Sequence, residues 1–522
     1  MRTWKGQFAE EIGRRVLLVL GYAWFKATLS RTLGTDYRSL GDLKMKMRLE
    51  RDSLGQYKVP YHAYYGIQTQ RAVESYRISG YRAHPQLIRA MGMIKKAAAS
   101  SNRELKLIDE KRAKAIRRAA EEVIEGKWNE EFVVDVYQAG AGVSFHMNAN
   151  EVIANRAIEL LGGKRGDYAL CHPNDHVNCS QSTNDVFPTA MRLASVFLLD
   201  EVLHAVAVLA KSFSRKASAF DRILKSGRTH LMDAVPIRLG QEFAAYATSM
   251  RRCEGVLEYA FGLLKEVGMG GSAVGTGVNT HPKFQKLVVR HLSEISGQAL
   301  RPTDDLRYAM QSNLAMSVAS SALRNLALEL IRISNDLRLL SSGPNTGLAE
   351  IELPALQPGS SIMPGKVNPV MAELTAMVGF QAIGADLVTA MAVQAGQLEL
   401  NVMMPAMAWN VLHSAEILKN TAGALATKCI DGISAREDRC RYYANVTISI
   451  AAALNPYIGY AAAAEIAKES VKTGRSVAEI ALEKNLLDER TMREILDPMR
   501  MTTPTAPIQR AFRKAKRKTG KS

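Results

Sequence analysis

Cysteine is scarce: Cys171, Cys179, Cys253, Cys429 and Cys440 are an odd number in 522 residues, with no Cys-x-x-Cys pair among them. That argues against a disulfide framework and a thiolate zinc site, and fits reduced thiols in a cytoplasmic protein. Neither a metal nor a cofactor is expected. Long apolar runs are missing as well. Although 47% of residues are hydrophobic, no stretch approaches the roughly 18 uninterrupted apolar residues of a membrane helix, so no membrane partner is expected. Acids are few, 51 against 68 Lys and Arg, for a formal charge of +17. Most of that excess lies at the ends. Residues 1–46 carry nine bases against four acids, and residues 505–522 carry seven bases and no acid. The tail run Arg513-Lys514-Ala515-Lys516-Arg517-Lys518 contains no aromatic to stack on bases and belongs to no binding motif, so it reads as a solvated terminus and no nucleic acid is expected.

What is present is helical periodicity interrupted by polar turns. Leu323, Leu326, Leu330, Ile333, Leu337 and Leu340 step by three and four residues, an a/d stripe that wants a partner helix along its whole length. Comparable apolar helices are readable near 188–216, 236–265, 370–395 and 406–430, which together predict a bundle of long helices. From about 439 the chain turns to short Ala-rich helices. At the other end, Arg14-Arg15 before the apolar run 16–25 has the outline of a secretory signal. Glu10, Glu11 and the missing small-residue cleavage site weigh against it, and translation from Met45 or Met47 is the favoured alternative.

The polar turns carry the chemistry. Residues 172–185 (HPNDHVNCSQSTND) are dense in short donors, and Ser182-Thr183-Asn184-Asp185 also reads as a helix N-cap. The Gly-rich turn 270–280 lacks a GK[ST] ending, so it reads as close backbone packing and not as a nucleotide loop. The central stretch is 358–373, PGSSIMPGKVNPVMAE, whose two Gly and three Pro exclude helix or central strand. Asn368 before Pro369 reads as an N-cap followed by proline at the first helical position. That would aim Lys366, the Asn368 amide and a helix N-terminus at one anion.

GSSIMPGKVNP followed by Glu373, together with GRTHLMDA at 227–234 and the 140–151 and 172–185 turns, resembles the signature of the aspartase/fumarase superfamily over roughly 48–505. The resemblance implies a mainly α, three-domain fold whose central long-helix bundle forms a tetrameric helical core. The expected divisions are an extension at 1–47, an N-terminal lyase domain at 48–183, the central bundle at 184–438, a small C-terminal helical domain at 439–505 and a basic tail at 506–522. It also implies a homotetramer acting on a small dicarboxylate, with each active site shared by three subunits.

By the same resemblance Ser360 is the base, and Lys366 and Asn368 hold one carboxylate. Ser182, Thr183 and Asn184 bind the other end of the substrate, Thr229 and His230 complete the pocket, and Glu373 orients His230. His172, Asn174 and Asp175 correspond to a second anion site. Three residues depart from the pattern: Val143 stands where relatives have a substrate-touching threonine, His146 where they have asparagine, and Asn345 where they have arginine. The segments 336–344, 350–354 and 395–403 look more like the ammonia-lyase branch than the hydratase branch, so loss of ammonia from L-aspartate is the expected reaction. A class II fumarate hydratase is the alternative, and an inactive binding fold a more distant one.

Overall fold

The computed structural model describes residues 46–508. The signal-like run at 16–25, a start at Met45 and the basic run at 513–518 therefore lie outside the described residues. The chain separates into two units, with the boundary between Ala63 and Tyr64. In the first, β1 (Met47–Asp52) and β2 (Gly55–Pro60) form an antiparallel hairpin in the register Met47↔Pro60 to Asp52↔Gly55. Its two-residue turn is held by Asp52 Oδ1, which accepts the Leu54 N–H at 2.9 Å, and needs Gly55 at φ 109°.

The second unit begins with α1 (Ile67–Ser75), α2 (Pro85–Glu104), α3 (Glu110–Ile124) and α4 (Val143–Leu160). Their starts are dictated locally. His84 Nδ1 caps α2 at the Gln86 N–H with Pro85 in the first turn, and Asp109 caps α3 at the Arg112 N–H. Buried Glu151 of α4 takes the N–H groups of Gly66, Gln68 and Thr69 at the start of α1. Gly142 precedes α4 in the left-handed region, and a Cβ there would lie 2.2 Å from the Phe187 ring.

A five-helix bundle follows. It consists of α5 (Thr183–Ala219), α6 (Leu239–Leu264), and, after the shorter α7 (Phe284–Ser296) and α8 (Leu306–Gln311), α9 (Leu314–Leu340), α10 (Val370–Gln394) and α11 (Met404–Lys428). The hairpin β3 (Leu224–Thr229) and β4 (Met232–Arg238) joins α5 to α6. Helix α5 packs on α6 and α11, and α9 packs on α6 and α10. All six residues of the expected stripe, Leu323 to Leu340, are buried on α9. One continuous apolar core runs from Leu87 to Cys440 through these helices.

Beyond it, α12 (Glu437–Val446), α13 (Asn455–Ile458), α14 (Tyr460–Thr473), α15 (Val477–Glu483) and α16 (Glu489–Ile495) are short. Ile450, Leu454, Ile466, Ile480 and Met492 form a separate cluster there. By length and composition, α5, α9 and α10 are apolar enough to cross a membrane, although polar residues interrupt each well short of roughly 18 consecutive apolar positions. Helix α5 exposes no large apolar side chain and α9 exposes Leu314, Leu328 and Leu339, whereas α10 leaves Met377, Phe380, Leu387 and Met391 more exposed on the single chain.

Candidate active site

Ser182, Thr183 and Asn184 open α5. The Ser182 N–H donates to Asp185 Oδ1 at 2.9 Å and Ser182 Oγ accepts the Asn184 N–H at 3.3 Å, so the Ser-Thr-Asn-Asp run is a capping box. Asn184 donates its side-chain amide to Ala273 O at 2.8 Å, and Asp185 Oδ2 accepts the N–H groups of Gly270 and Ser272 at 3.1 and 3.0 Å. The Gly-rich turn is thus folded onto the start of α5. A Cβ at Gly275 would lie 2.6 Å from Arg307 Cα, which is the close backbone packing the sequence suggested. Burial pushes the Asp185 carboxyl up to about 6, against the pull of its N–H donors and Lys95.

Thr229 and His230 sit at the tip of the β3–β4 hairpin. Thr229 pairs with Met232, leaving His230 and Leu231 as the two loop residues, both left-handed at φ 55° and 61°. Asn-Gly is the usual occupant of such a turn, so His and Leu hold it at a cost in strain. His230 is exposed and makes no hydrogen bond or ion pair among the described residues, so Glu373 does not orient it within one chain. The base of the hairpin is anchored instead. Arg228 Nη1 lies 3.0 and 2.9 Å from the two oxygens of Glu350, and Lys225 Nζ lies 2.7 Å from Glu242 and 3.3 Å from Glu350.

The loop before α10 closes on itself. The Gly359 N–H donates to Lys366 O, and Asn368 Nδ2 donates to Gly359 O, both at 2.7 Å. Only glycine fits at 359, since a Cβ would lie 2.5 Å from Lys366 O. Ser360 Oγ accepts the N–H groups of Ile362 and Met363 at 3.2 and 3.0 Å. Lys366 is exposed, and Glu373 lies in the first turn of α10. One local expectation is corrected: Asn368 is not the N-cap. Pro369 holds that position without a side-chain bond, because the Asn368 amide is used to close the loop.

The His172 turn caps a single π-helical turn at 173–177. His172 Nδ1 accepts the N–H groups of Asn174 and Asp175 at 3.2 and 3.3 Å, and both of those side chains are exposed. Val143 opens α4 and is 41% exposed, while His146, one turn on, is buried.

One protomer does not bring the expected pocket together. Ser182–Asn184 stand at the start of α5 and Thr229–His230 come in the hairpin after its far end, beyond a helix of 37 residues that is roughly 55 Å long at about 1.5 Å each. The 358–368 loop leaves from the hairpin's end of the bundle, where Glu350 meets Arg228, yet no hydrogen bond or ion pair joins loop and hairpin among the described residues. Sequence reasoning missed Lys95, which lies beneath the start of α5. Its signal was faint: Lys95 and Lys96 stand side by side in an otherwise apolar and small run at 90–101, and only the first is fully buried.

The long-helix bundle, with polar turns at both ends and a serine loop stapled over a helix start, is the architecture that known lyases share with this chain. A family profile described as Lyase matches residues 55–384, and one described as Fumarase C C-terminus matches 450–503. The aspartate ammonia-lyase of Bacillus subtilis is 48% identical over 457 residues, covering 88% of this chain and 96% of that protein. The class II fumarate hydratase of Halobacterium salinarum is 48% identical over 456 residues, 87% and 97% of the two chains. A solved fumarate lyase:delta crystallin from Brucella melitensis superposes with a TM-score of 0.85 at 48% identity, covering 88% of this chain and all of that one. The chain belongs to the aspartase/fumarase superfamily of lyases.

Proposed function

We propose that the protein is an aspartate ammonia-lyase, catalysing the reversible anti-elimination of ammonia from L-aspartate to fumarate. Ser360 takes the proton from the carbon next to the carboxylate. The electron pair left behind is held as an aci-carboxylate, then forms the carbon–carbon double bond as the carbon–nitrogen bond breaks and ammonia departs. Because that C–H is weakly acidic, holding the doubly charged intermediate matters more than base strength. Lys366 and Asn368 hold that carboxylate, Ser182, Thr183 and Asn184 the other end of the substrate, and Thr229 and His230 complete the pocket. The observation that carries the reading is the Ser360 hydroxyl, fixed by two backbone N–H groups in a loop that also presents Lys366. Relatives named aspartate ammonia-lyase at 47 and 48% identity support the choice of ammonia as leaving group.

The working unit is a homotetramer in which three subunits build each site. Two observations support it: the roughly 55 Å span of α5 between expected pocket segments, and the apolar residues that α10 leaves exposed. In that assembly Glu373 orients His230 from another subunit. His172, Asn174 and Asp175 form a second anion site, the domain borders fall near 184 and 439, and the enzyme works in the cytoplasm.

A class II fumarate hydratase is the second reading, favoured by the Halobacterium salinarum relative. Fumarate absorbance decides between them. Release from L-aspartate but not L-malate is expected, the reverse makes the protein a hydratase, and no release from either identifies an inactive fold.

A further inference from the structure

We propose that Lys95 and His146 are positioning residues that set which way the Thr183 hydroxyl donates, and so how the start of α5 receives a carboxylate. The inference rests on the reading of Thr183 as a substrate contact. Lys95, on α2, is fully buried, and an ammonium has three donors and no acceptor. Three acceptors surround it: His146 Nε2 at 2.7 Å, Asn178 Oδ1 at 2.9 Å and Gln181 Oε1 at 3.0 Å. The two amides are fixed by other bonds. Asn178 Nδ2 donates to Gln181 O at 3.2 Å, and Gln181 Nε2 donates to Val177 O and Cys179 O at 3.1 and 3.0 Å, so both carbonyl oxygens face the lysine.

A charged Lys95 gives its third N–H to His146 Nε2, which must then be bare, leaving the imidazole proton on Nδ1. Nδ1 lies 2.6 Å from Thr183 Oγ1. The hydroxyl accepts that proton's bond and keeps its own hydrogen for a carboxylate outside. With the opposite tautomer, Nδ1 would take the hydroxyl's hydrogen and the turn would lose a donor.

The titratable groups facing Lys95 are His146 on α4 and Asp185 on α5. The 172–182 turn adds only the amides of Asn178 and Gln181. Burial pulls the ammonium well below the usual lysine range, with the Asp185 carboxylate opposing, and burial with Lys95 holds His146 neutral. The charged lysine is therefore lost at a lower pH than an ordinary one, and Thr183's donation with it.

The test is calorimetric binding of succinate to the purified full chain, since this dicarboxylate has no leaving group and keeps its charge above neutrality. Wild-type affinity is expected to fall through the alkaline range with loss of one proton. Lys95→Met should abolish that titration and weaken binding at neutral pH by about 3- to 10-fold. His146→Leu should weaken it equally, and His146→Asn, which returns an N–H beside Thr183, should restore most of it. In L-aspartate elimination the loss should fall on KM more than kcat. Thr183→Val decides the underlying reading: unchanged succinate binding there removes Thr183 from the site and the proposal with it. Weaker binding in Thr183→Val, beside wild-type affinity and pH profile in His146→Leu, overturns the proposal alone. Should Lys95→Met fail to fold, the contrast between His146→Leu and His146→Asn decides.

Discussion

Ser360 is a poor base in water, and the loop offers it two backbone N–H groups aimed at its oxygen. Hydrogen bonds to a charged form favour that form, so the same pair stabilises an alkoxide more than a hydroxyl. Ser360→Ala should lower kcat for elimination by about 10²–10⁴-fold. The melting temperature should not change, because the side chain lies outside the apolar core. Near-normal turnover in this variant, read by fumarate absorbance, would remove Ser360 as the base. Val143 gives a prediction of opposite sign. At 41% exposure on the single chain a threonine hydroxyl there leaves no buried polar group unpaired, so Val143→Thr should not lower stability. If position 143 faces substrate, binding improves by about 0.5–1.5 kcal/mol, seen in KM. Unchanged KM with unchanged melting temperature would place Val143 outside the pocket. At this scale the family was legible because its signature is written in residue types and their order. Lys95 was not, because a helical period does not say that a lysine on the buried side has found three acceptors.

The β3–β4 hairpin shows what an element needs to carry a strained tip. Its base is an ion cluster in which Glu350, with no exposed side-chain surface, serves both Arg228 and Lys225. Glu350→Gln leaves Arg228 with a neutral partner and Lys225 with Glu242 alone, and the expected loss is about 3 kcal/mol of stability, measured by denaturant unfolding. Activity should fall with it, since Thr229 and His230 follow directly on Arg228. A variant as stable as wild type would mean that Glu242 and water, not Glu350, balance these charges. Elements of this kind were half legible. The helices announced themselves because the a/d stripe is a period with a single packing solution, and the Ser182 cap was written in consecutive residues. The Asn368 cap failed because its amide had a better acceptor nine residues back, at Gly359 O, reached only once glycine lets the two strands of the loop touch. The ion cluster joins residues 225, 228, 242 and 350, and no local pattern connects them.

At the scale of the whole molecule, the length of α5 bears on whether one chain completes its own site. Its 37 residues span roughly 55 Å at about 1.5 Å each, far beyond the reach of a four-carbon dicarboxylate. Either the segments at its two ends serve different purposes, or each meets the other's counterpart on a neighbouring subunit. The exposed side of α10 favours the second case, because Met377, Phe380, Leu387 and Met391 are costly to leave in water and a second copy is the partner always at hand. Subunit mixing tests this directly. Thr183→Val, altered at one end of α5, and Ser360→Ala, altered in the loop at the other, should each be impaired alone. Unfolded together and refolded at equal ratio, they should form mixed assemblies in which about a quarter of shared sites draw both segments in unaltered form, so activity should return towards that fraction. Refolded separately and then combined without exchange, they should stay impaired. Recovery shows that one site takes Thr183 and Ser360 from different chains, whereas mixed assemblies no more active than their parents would mean that each protomer supplies both.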